Sequence, residues 1–101
     1  MAVLTNADPI REPHRLGFDK GKVVGPRIDA TGIELSLDRS PTGTVTARVS
    51  LEGTNLSAVV EQWNTVDAAL PKYRRMEDKL YTGQYVIHHD PITGIRIQFL
   101  D

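Results

Sequence analysis

The chain has no cysteine, which removes disulfides, thiol nucleophiles and thiolate metal sites and fits a reducing cytoplasm as the expected location. No apolar run approaches the ~20 residues that a membrane helix needs, so no membrane role is expected. The opening stretch MAVLTNADPI lacks a basic segment followed by an apolar one, so no secretory signal is expected. Asn55-Leu56-Ser57 fits the glycosylation pattern but has no such context. A dominant charge is missing as well. Twelve Lys and Arg against thirteen Asp and Glu leave a formal net charge of −1, so no global field draws the chain to nucleic acid or an anionic surface. Any such role needs a local patch.

Catalytic signatures are also absent. The run Gly17-Phe18-Asp19-Lys20-Gly21-Lys22 is one residue short between its glycines for a phosphate loop. Val23 stands where that loop needs the Ser or Thr that meets Mg²⁺. Ser36, Ser40, Ser50 and Ser57 have no elbow motif, and no dinucleotide fingerprint is present. His88 and Asp90 share a strand face, and His14 is a third candidate ligand. A resident metal needs three such groups converging. The cheaper reading has His88 at the core edge and Asp90 bonding its own turn ahead of Pro91. No metal, cofactor or catalytic residue is therefore expected.

What is present is the pattern of one small α+β domain: 101 residues, 40% apolar and 25% charged. Within Gly32–Glu52, Ile33, Leu35 and Leu37 alternate with polar residues, as do Val45, Ala47, Val49 and Leu51, so one face of a hairpin is buried. Ser40-Pro41-Thr42-Gly43-Thr44 suits a three-residue loop, with Pro41 preset for a type I turn and Gly43 in left-handed space. That loop pairs Leu35 with Val49 and Ile33 with Leu51.

Leu56, Val59, Val60, Trp63, Val66 and Leu70 follow helical spacing, which predicts an amphipathic helix from Leu56 to Leu70 with Trp63 buried at its centre. Asp67 and Pro71 interrupt the stripe and mark a kink or break, with Asp67 capping a continuation through Tyr73, Met76 and Leu80 to Tyr81. Thr82-Gly83 ends it. Gln84–Asp101 reads as a second hairpin in which a four-residue loop pairs Asp90 with Ile95. Val86, His88, Ile97 and Phe99 then share one face, and Tyr85, Ile87 and Leu100 the other.

Hairpin, helix, hairpin gives ββαββ over residues 31–101, and the simplest sheet order is 2-1-4-3. That arrangement resembles β-grasp and protein-G-like domains at the level of topology, which implies no activity.

Residues 1–30 read as an extended N-terminal arm. Asp8-Pro9, Glu12-Pro13 and Gly25-Pro26 break regular structure, with short extended pieces at 14–18 and 22–24. The arm is too apolar for a plain tail. It is expected to cross to another chain, adding to a sheet edge at 44–52 or 84–90. The expected function is a non-catalytic protein-interaction module, a homo-oligomer or a subunit of a larger assembly. Its expected surface is Tyr85, Ile87, Leu100, Phe18 and Val23. The alternative is nucleic-acid binding through Lys72, Arg75 and Lys79, a helical stripe with Arg74 and Tyr81 beside it.

Overall fold

A computed structural model describes residues 8–101. Among them are eight strands and one helix, in two sheets. The first sheet is built on the hairpin of β4 (Gly32–Arg39) and β5 (Val45–Glu52). Its register is the one that the turn chemistry predicts: Leu37 faces Ala47, Leu35 faces Val49 and Ile33 faces Leu51. Ser40 and Thr44 close the loop through Ser40 N–H to Thr44 O, 2.8 Å. Gly43 has φ +93°, a conformation that a side chain with a Cβ resists. All seven apolar residues of this ladder are at most 1% exposed.

The predicted helix over 56–70 is not there. Ser57–Trp63 forms a strand, β6, antiparallel to β5 with a bulge opposite Ala47/Arg48. Val59, Val60 and Trp63 favour a pleated, half-buried surface, and β5 offers an open edge. Helix α1 spans Val66–Thr82. Thr65, not Asp67, caps it: its hydroxyl accepts from Ala68 N–H at 3.1 Å. Asp67 then lies in the first turn, where a carboxylate suits the helix dipole. The helix continues through Pro71, which has no N–H to donate to Asp67 O. Gly83 caps the C-terminus, its N–H reaching Leu80 O. Ala69, Tyr73, Met76 and Leu80 face the core. The buried Tyr73 hydroxyl donates to Leu35 O in β4 at 3.2 Å.

The second hairpin, β7 (Tyr85–Asp90) with β8 (Gly94–Phe99), is shifted from the expected pairing. Asp90 faces Gly94 rather than Ile95, so Ile87 faces Ile97 and Tyr85 faces Phe99. The cause lies in the turn, where Asp90 Oδ1 accepts from Ile92 N–H (2.8 Å) and Thr93 N–H (3.3 Å) and bends the chain one residue early. The two hairpins do not share one sheet, so the 2-1-4-3 order is not formed.

The N-terminal segment is the structural link between the sheets. β1 (Asp8–Pro9) and β2 (His14–Gly17) pair with the free side of β4, while β3 (Lys22–Val24) runs parallel to β7. The edge at 84–90 does receive a strand, but from its own chain, so the expected crossing to another chain is corrected for residues 8–24. Apolar side chains of the segment settle on the core that their own domain provides. Close approach fixes one position: a Cβ on Gly21 would fall 2.0 Å from Tyr85 Cε1. β6 covers the other expected edge, β5, and lies alongside β8 without pairing to it. No helix of the described residues is long and apolar enough to cross a membrane.

Candidate functional site

The stripe Tyr73, Met76, Glu77, Leu80 puts one carboxylate at an i+4 position among apolar residues. Glu77 is therefore only 8% exposed. Burying it is tolerable only with partners, and residues ahead of β2 and at its start supply them. Arg11 Nε donates to Glu77 Oε2 at 3.0 Å and Arg11 Nη2 to Oε1 at 3.4 Å. His14 Nε2 also bonds Oε2. The other imidazole nitrogen, Nδ1, lies 2.8 Å from the Tyr81 hydroxyl, one helical turn beyond Glu77. The His14 and Tyr81 rings meet edge to face at 5.4 Å.

This cluster ties the N-terminal segment to the helix. Beside it an open groove of about 660 Å³ is lined by Glu12, Pro13, His14, Arg15 and Tyr81. Arg15 donates from Nε to Glu34 at 2.6 Å, and that bond holds its guanidinium pKa above the usual value. Tyr81 is 46% exposed, so its hydroxyl belongs to a side chain that solutes can reach.

Sequence reasoning missed this constellation. His14 reads there as a third ligand beside His88 and Asp90, and Glu77 belongs to no candidate site. The available signal was the i+4 slot of Glu77 on an apolar stripe. Nothing in the sequence pointed to which residues would answer it.

The second groove, about 370 Å³, lies at the tip of the β7–β8 hairpin. It is lined in part by Val24, His88, Asp90, Thr93 and Arg96. Asp90 is committed to its turn, and the two backbone N–H donors hold its carboxyl below the usual range. His88 Nε2 bonds Gln98 Oε1 at 3.0 Å, and His89 Nδ1 donates to Pro26 O at 2.8 Å. Among the described residues no three His, Asp or Glu side chains converge as a metal site would require. Ile92 stands at the apex of this hairpin, 93% exposed, and Val24 is 44% exposed.

The remaining expected site residues are dispersed. Tyr85 and Ile87, expected on an outer face, are core residues at 1% and 0% exposure; the shifted register turns both inward against Phe99 and Ile97. Phe18 and Val23 are half-buried against that core, and Leu100 is exposed. Of the basic stripe, Lys72 bonds Glu61 at 3.3 Å, while Lys79 bonds Leu100 O and lies near the Asp101 carboxylate. Tyr81 is engaged with His14. Arg74 and Arg75 are exposed and have no ion pair among the described residues.

Comparison of the chain with protein-family models, with curated proteins and with solved structures finds no match.

Proposed function

We propose that this chain is a protein-interaction module, working as a homo-oligomer or as one subunit of a larger assembly. The observation that carries this reading is the hairpin tip. Ile92 projects almost wholly into solvent from a turn made rigid by Pro91 and the Asp90 side chain. Val24 lies on the edge strand beside the groove that the same hairpin walls. A large aliphatic held out on a fixed turn is an anchor suited to a partner's apolar pocket, and its rigidity lowers the ordering cost of binding. The neighbouring His88, His89 and Arg96 would form the polar rim.

This replaces Tyr85 and Ile87 with Ile92 and Val24 as the contact residues and keeps the interaction reading. The basic stripe draws no comparable support, because Lys72 and Lys79 already face acceptors within the chain.

The homo-oligomer form is tested by light scattering over a range of concentrations. Wild-type mass should rise with concentration, and Ile92→Asp should hold it at the monomer value. A mass that responds to concentration identically in both proteins would remove the tip from the contact, and a monomer throughout would remove self-association.

A further inference from the structure

We propose that Tyr81 is an acyl-acceptor site, a phenol arranged to be O-acylated by an activated acyl donor of the thioester class. The argument starts at the buried end of the cluster. Arg11 donates to both oxygens of Glu77, so the carboxyl group acts there as an acceptor. His14 Nε2, bonded to the same group, is then the nitrogen that carries the hydrogen. In the neutral imidazole the lone pair lies on Nδ1, which faces the Tyr81 hydroxyl at 2.8 Å. Nucleophile, base and the group that orients the base thus stand in sequence, the arrangement that activates a hydroxyl. The hydroxyl borders an open groove that Arg15 also lines.

The step balances with no further reactant. Tyr81 Oη forms a bond to the acyl carbon as its proton passes to His14 Nδ1. The tetrahedral adduct collapses with cleavage of the C–S bond, and the departing thiolate takes the proton from His14. Donor class follows from leaving-group order. Thiols ionise near ~8.5 and phenols near ~10, so a thiolate leaves ahead of the phenolate. An alkoxide would not, and an ordinary alkyl ester would return to starting material. Acylation would also remove the hydroxyl hydrogen offered to His14, loosening one tie between the N-terminal segment and the helix.

The test exposes the full chain to a small acetyl thioester and locates adducts by intact and peptide mass spectrometry, with N-acetyltyrosinamide as the free-phenol reference. Tyr81 should be acetylated about 100-fold faster than the reference, as general-base assistance typically provides. The matching alkyl ester should give no adduct. His14→Gln, shown to be folded by circular dichroism, should fall toward the reference rate. Tyr81→Phe should lose this adduct alone. The proposal is overturned if Tyr81 reacts no faster than the free phenol, if only lysines are acylated, or if folded His14→Gln keeps the wild-type rate.

Discussion

Raising the pH should unfold this protein through two phenols that it buries. Tyr73 is 0% exposed, and burial, with Glu77 nearby, pushes its pKa well above the ordinary value of 10.0. Tyr85 is 1% exposed and is raised chiefly by burial. A raised folded-state value means that the unfolded chain loses these protons first. The stabilisation is complete below about pH 10 and is lost as pH climbs from there toward the folded values. Within that window each phenol removes about 1.4 kcal/mol per pH unit. Two together are serious for a domain whose total stability is on the order of 5–15 kcal/mol.

Tyr73→Phe isolates one of them. At neutral pH it loses the hydrogen bond to Leu35 O, worth about 0.5–1.5 kcal/mol. Leu35 is paired on both sides, with His14 and Val49, so its carbonyl keeps a strand partner. Above about pH 10 the variant should decline less steeply by ~1.4 kcal/mol per unit, and its stability curve should cross that of wild type roughly one unit higher. Urea titrations followed by circular dichroism at several values from about pH 8 to about 12 supply both curves. Curves that stay parallel across that range would refute the claim that the Tyr73 phenol is held neutral by the core.

Gly43→Val should destabilise by about 1–2 kcal/mol, measured by urea unfolding. Nothing lies within 4 Å of the added Cβ, so the cost comes from φ +93° alone, and Gly43→Asn should recover part of it. Gly21→Ala should cost more, about 1–3 kcal/mol, since the methyl group meets the Tyr85 ring directly. An unchanged midpoint there would mean that the N-terminal segment is not seated against β7 as described.

The first hairpin was legible because two independent signals, alternation and turn chemistry, had one joint solution. The second offered a single signal, and the side chain of Asp90 decided the register. Leu56–Leu70 was misread for a different reason. Its apolar residues satisfy helical spacing, but Val59 and Val60 are equally at home in a strand, and periodicity alone cannot say that β5 has an empty edge. Asp67 on that stripe was the warning; it belongs to the first turn of a helix that starts ten residues later than expected. The Glu77 cluster joins residues more than 60 positions apart in the sequence, and local pattern carries no information about such pairs.

The parallel pairing of β3 with β7 also sets an order of events during synthesis. Val23 meets Ile87 near the other end of the chain. At about 5–20 residues per second, β3 leaves the ribosome several seconds or more before its partner strand exists. The β4–β5 hairpin can close in microseconds once made, and β2 can join it. Lys22–Val24 must wait for the last strands. The nascent chain therefore carries β3 without its partner until β7 has been synthesised. The seat of β3, with Gly21 under the Tyr85 ring, is among the final parts of the domain to form.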